Sequence, residues 1–118
     1  MAVMLPRLLG AAVGLVLLLT QPLSALAQNK PLTAGGILEV CTTASMHWVD
    51  FCNGFFQAVH DHASINGIAC TPTGVTRTDL VELYQREVLR LIETDPSVAN
   101  RVAVSVGTVI LGKAYPCQ

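Results

Sequence analysis

Cys41, Cys52, Cys70 and Cys117 constrain this chain more than any other feature. An even set of cysteines in a short sequence reads as two disulfides if the chain matures in an oxidising compartment. The start of the sequence supports that condition. Met1 to Ala27 holds Arg7 as its only charge, an unbroken apolar or glycine run from Leu8 to Leu19, helix-breaking Pro22 and the small-residue close Ala25-Leu26-Ala27. This is the layout of a secretory signal peptide, with cleavage expected after Ala27 and the periplasm as destination. A retained membrane anchor is the competing reading, but the apolar run is short for a span of about 20 residues. Zinc is the competing use of the cysteines, disfavoured because neither C-x-x-C nor H-x-x-x-H spacing occurs.

Residues 28–118 are enough for one domain and too few for two. A core of that size is modest, so covalent staples are useful to it. With Lys and Arg totalling 7 against 8 Asp and Glu, the chain has no basic excess for nucleic acid. Residues 28–36, with Pro31, Gly35 and Gly36, read as a flexible lead-in, leaving 37–118 as the helical domain.

The pattern over 37–118 is helical throughout. Ile37, Leu38 and Cys41 mark a short first helix ending near Thr42 to Ser45. From Trp48 to Ala63 the residues Trp48, Phe51, Cys52, Phe55, Phe56 and Val59 advance in steps of three and four or adjoin such a step, which predicts one buried helical face. That face carries the only Trp and all three Phe, and Asp50, Asn53, Gln57, His60 and Asp61 are expected opposite it. Thr76 and Asp79 have the spacing of a reciprocal cap, opening a third helix whose predicted stripe is Leu80, Val81, Tyr84, Val88, Leu91 and Ile92. Glu82 and Arg86 lie four apart on its wet side. Asp95-Pro96 ends that helix at Thr94 and opens a fourth, carried by Val98, Ala99, Val102, Ala103, Val106, Val109 and Ile110 and stopped by Gly112. The valines make a strand the rival there, but length and the Asp-Pro start favour helix. The short link predicts an antiparallel hairpin of helices three and four.

This layout favours pairing Cys41 with Cys52 across the first turn, and Cys70 with Cys117 across the open end of the hairpin. A Cys52–Cys70 bond is the alternative. It requires the chain to climb roughly 17 Å of helix and return within the loop.

No catalytic constellation stands out. His60 and His62 are two apart and point away from each other on a helix, no G-x-S-x-G frames a serine, and paired cysteines are not nucleophiles. The expectation is a binding protein with no enzyme activity, cofactor or metal. Its candidate contact surface is the loop after the second helix, specifically Ile65, Asn66, Gly67, Ile68, Thr71, Pro72 and Thr73, long and pinned by Cys70.

Four segments then meet in order. They are Cys52-Asn53-Gly54-Phe55-Phe56-Gln57-Ala58-Val59-His60-Asp61, Cys70-Thr71-Pro72-Thr73-Gly74-Val75-Thr76, Glu93-Thr94-Asp95-Pro96 and Ala114-Tyr115-Pro116-Cys117. Together they resemble the Rap/Tai-type immunity proteins, although Ala58 stands where members often carry Gly. The resemblance implies a small all-helical periplasmic protein, often a homodimer, that binds and occludes a peptidoglycan amidase effector of type VI secretion. The charge balance and the cleavable signal add the expectation of no nucleic-acid partner and no membrane association once the signal is cleaved. A periplasmic acid-stress chaperone is the competing class, and the few lysines count against it.

Overall fold

The computed structural model describes residues 32–118; the signal-like segment and residues 28–31 of the expected lead-in lie outside them. The described chain forms α1 (Ala34–Cys41), α2 (Met46–Ile65), α3 (Arg77–Thr94), a 3₁₀ turn (Pro96–Asn100) and α4 (Ala103–Ala114). Cys41 bonds Cys52 with Cα atoms 5.8 Å apart, and Cys70 bonds Cys117 at 4.8 Å. The all-α architecture and the favoured pairing are both present.

The reciprocal cap of α3 forms as its spacing requires. Asp79 N–H donates to Thr76 Oγ1 at 3.2 Å, and Thr76 N–H donates back to Asp79 Oδ2 at 2.7 Å. These bonds satisfy backbone donors that the first helical turn leaves without partners. At the other end Asp95 Oδ1 accepts the Ser97 N–H at 3.0 Å and so caps the Pro96–Asn100 turn.

The core gathers Cys52, Phe56, Val59 and Ala63 of α2, Leu80, Leu83, Tyr84 and Val88 of α3, and Ala103, Val106, Ile110 and Leu111 of α4. The ring of Phe56 meets that of Tyr84 with centroids 4.7 Å apart. Burial pushes the Tyr84 hydroxyl pKa upward, and the neutral hydroxyl donates to the Ala34 carbonyl at 3.3 Å. The same helix holds α1 again where Gln85 Nε2 donates to the Cys41 carbonyl at 2.7 Å.

Several sequence expectations are corrected. The buried stripe of α2 is narrower than its apolar pattern: Trp48, Phe51 and Phe55 are only half-buried, stacked outward from Phe56 toward the helix start. The neighbouring helices α1, α3 and α4 cover only part of α2, and the aromatic excess spills around its flank.

The lead-in is also partly structured, since α1 starts at Ala34 and not at Ile37. Ala34 N–H donates to the Arg101 carbonyl and Ala103 N–H to the Leu32 carbonyl, both at 2.8 Å, which clips the chain's start to the segment before α4. Gly35 serves close approach there, because a Cβ on it would lie 3.1 Å from Ala99 Cβ.

The same clip breaks the predicted fourth helix. Its backbone is extended at Arg101 and Val102, the latter in an isolated antiparallel bridge with Thr33, so Asp95-Pro96 opens only the 3₁₀ turn and the α-helix starts at Ala103. Gly112 does not stop this helix, which continues to Ala114. Ile68 packs on Gly112, where a Cβ would come within 3.0 Å of Ile68 Cγ2. The end of this helix returns to the start of α3, since the Tyr115 carbonyl just beyond it accepts the Cys70 N–H of the loop before α3 at 2.8 Å. Finally, Arg86 pairs with Glu87 at 3.4 Å rather than with Glu82, because Glu87 is the acid that faces α4 with it.

Thr76→Ala removes the side-chain half of the cap and is expected to lower unfolding free energy by about 1 kcal/mol, read from a urea transition. Asp79 and Asp95 carry pKa values below the usual carboxylate range, the first held down mainly by the Thr76 N–H and the second by the Ser97 hydroxyl. Their contribution is therefore complete above about pH 4 and lost as pH falls through the depressed values. Urea midpoints measured from pH 5 to pH 2 are expected to fall, and less steeply in Asp79→Asn.

Candidate functional site

The candidate loop begins with the end of α2. Ile68 N–H reaches back to the Ala63 carbonyl at 2.8 Å and Gly67 N–H to the Ser64 carbonyl at 3.0 Å, with Asn66 as the C-cap. This is a Schellman closure, and Gly67 at φ +65° supplies the left-handed residue it needs. Asn66 adds a bond from its Nδ2 to the His62 carbonyl at 2.7 Å.

Beyond the cap the loop is held on three sides. Ala69 is buried, Cys70 N–H donates to the Tyr115 carbonyl at 2.8 Å, and the Cys70 sulfur is bonded to Cys117. Ile68 rests on Gly112 of α4. Thr71 is half-buried with its Oγ1 lacking a protein partner, while Pro72 and Thr73 are exposed and Gly74 turns the chain into α3 at φ +101°. All seven expected residues thus occupy one pinned excursion between α2 and α3.

What this excursion offers is apolar. Ile65 is 85% exposed and Ile68 41% exposed, while their backbone is tied down. Such a surface suits shape-matched contact, because little ordering entropy remains to be lost on binding. Chemistry is poorly provided for. His60 Nδ1 lies 3.3 Å from Asp61 Oδ1 and His62 Nδ1 3.3 Å from Asn66 Nδ2, while the His47 ring packs edge-on to Trp48. Asp61 sits below the usual carboxylate range, chiefly through the hydrogen bond from Gln57 Nε2 at 2.8 Å. Among the described residues no group of three His, Cys, Asp or Glu side chains is placed to share a metal ion.

The loop pattern alone did not reveal a second feature, a groove between α3 and α4 floored by Leu91, Val98, Val106 and Val109. Its signal in the sequence was the surplus of valine in the fourth helical segment. Val102 and Val109, members of the apolar repeat that predicts the fourth helix, are 43% and 53% exposed. Among the described residues no helix is long and apolar enough to cross a membrane.

Fold and surface together define a small, doubly disulfide-stapled helical domain that presents fixed apolar contacts. A sequence model of the Rap1a immunity proteins matches residues 33–117, and the chain belongs to that family. Membership implies a partner effector. Searches of curated proteins and of solved structures find no match.

Gly67→Ala places a Cβ on a left-handed residue and is expected to cost about 1–2 kcal/mol of stability. Hydrogen exchange checks the mechanism: the Ile68 amide, bonded to the Ala63 carbonyl, should lose protection more than amides in α3.

Proposed function

We propose that the chain is a non-catalytic periplasmic immunity protein that binds a peptidoglycan amidase effector of type VI secretion and covers its active-site cleft. The observation that carries this reading is the loop Ile65–Thr73, apolar at Ile65 and Ile68 and anchored by a Schellman closure and the Cys70–Cys117 bond. Occlusion of a cleft needs a rigid projection and a matched surface, not reactive groups. Export is supported by the signal-like order of Met1 to Ala27 and by two disulfides in a short chain.

The contact residues proposed for the amidase are Ile65, Asn66, Gly67, Ile68, Thr71, Pro72 and Thr73. Ile65 is the strongest anchor candidate, because an isoleucine this exposed contributes little to the core and much to a contact that buries it.

The test mixes the oxidised mature chain with the amidases encoded beside its gene, and follows complex formation and peptidoglycan cleavage together. Tight binding with loss of cleavage is the expected result, and no binding by any of them refutes the reading. Ile65→Asp should raise the Kd about tenfold to thirtyfold while leaving the unfolding midpoint close to wild type.

A further inference from the structure

The groove between α3 and α4 is open, with a volume of about 240 Å³ over Leu91, Val98, Val106 and Val109. It continues past Lys113 into a second hollow of about 280 Å³ reaching Leu83 and Ala114. A single exposed valine such as Val109 needs no explanation. The charges around it do.

Five cationic side chains occur among the described residues, and four of them, Arg86, Arg90, Arg101 and Lys113, border this groove. Glu87 is shared between Arg86 and Arg90, at 3.4 and 3.0 Å, and Asp95 lies 3.1 Å from Arg101. Lys113 has no carboxylate within ion-pair distance among the described residues. Glu39, Asp50, Asp61, Asp79, Glu82 and Glu93 lie outside the groove, and Arg77 is the only described cation there. The groove is the positive pole of a chain whose net charge is −1.

We infer that this groove receives an apolar protrusion of the effector flanked by Asp or Glu carboxylates. The inference rests on the immunity reading above and adds to it a second contact of stated chemistry. The apolar floor provides area to bury, and the surrounding cations orient an acidic partner and speed its approach. A second copy of the chain is a poor occupant, because a two-fold contact through this face brings the same cation-rich patch of each copy together. Position also favours one partner for both surfaces. Ile68 of the loop packs on Gly112, and Lys113 of the groove is the next residue, so loop and groove meet at the C-terminal end of α4.

Two probes test the inference. The first is a blocked hexapeptide, Glu-Glu-Leu-Ile-Glu-Glu, and its counterpart with Lys in place of every Glu, each titrated into the ¹⁵N-labelled oxidised chain. The acidic peptide should give saturable amide shifts at Leu91, Val106, Val109 and Lys113 that the basic peptide and the double variant Arg90→Glu/Lys113→Glu do not show. Shifts elsewhere, or equal shifts with both peptides, overturn the assignment. The second probe is the effector captured by the chain. The double variant should weaken it by about 30-fold or more and flatten its salt dependence, with Arg77→Glu within about twofold of wild type.

Arg90 and Lys113 are exposed, so an unchanged urea midpoint serves as the folding control. Unaltered effector binding by the double variant overturns the groove and leaves the immunity reading standing. If no effector binds at all, the immunity reading fails and the peptide result decides the groove's chemistry alone. Loss in the double variant of wild-type self-association, or of wild-type binding to phosphatidylglycerol vesicles, assigns the groove to a second copy or to lipid and overturns the inference.

Discussion

The Cys70–Cys117 bond joins residues 47 apart in sequence, and both surfaces described above depend on it. In the chain-entropy account a closure of that length removes about 4 kcal/mol of freedom from the unfolded state, against about 3 for the Cys41–Cys52 bond, whose partners are 11 apart. Its structural effect is more specific than its energy. One end lies in the candidate loop and the other just beyond α4. The bond and the neighbouring Cys70 N–H to Tyr115 carbonyl contact therefore set the loop against the helix that carries Gly112 and Lys113. Ile68 can pack on Gly112 only because that register is held.

At the other end of the domain the restraint is made of backbone and side-chain hydrogen bonds. Leu32 to Ala34 pair with Arg101 to Ala103, Tyr84 donates to the Ala34 carbonyl, and Gln85 donates to the Cys41 carbonyl. The eight-residue α1 is too short to persist alone; these contacts hold it on α3 and the segment before α4, and the Cys41–Cys52 bond holds it on α2. The cost falls on the fourth helical segment, which gives up its turn at Arg101 and Val102 to supply the pairing groups. Removing those groups from the helix ladder also leaves Val102 exposed.

An immunity protein of this family must recognise one effector by contact, and contact between rigid partners loses less entropy than contact that orders a loop. The loop here has the amides of residues 66–70 bonded and Ile65 and Ile68 outward, while the α3–α4 groove pairs an apolar floor with most of the described positive charge. In the contact proposed above, apolar area with fixed geometry supplies affinity. Charge of one sign against a mostly acidic remainder supplies orientation and discriminates between partners.

Much of this was legible before any coordinates. The cysteine positions favoured the two bonds that form, because each closes a helix junction while a Cys52–Cys70 bond asks more of the chain. Thr76, Asp79, Asp95 and Pro96 marked the limits of α3, since capping is local chemistry between residues two or three apart. The loop Ile65–Thr73 was visible from its turn residues for the same reason. What periodicity left open were quantities set by non-neighbours. The depth of burial of Trp48, Phe51 and Phe55 depends on which helices cover α2, and the glycines at 35 and 112 depend on Ala99 and Ile68 arriving from elsewhere. The fourth segment's break reflects pairing with residues some seventy positions earlier. The collection of Arg86, Arg90, Arg101 and Lys113 around one groove likewise came from the crossing of α3 and α4. Sequence alone determined the local elements and their covalent links; tertiary structure decided which faces meet, because burial and charge clustering are properties of surfaces that distant residues build together.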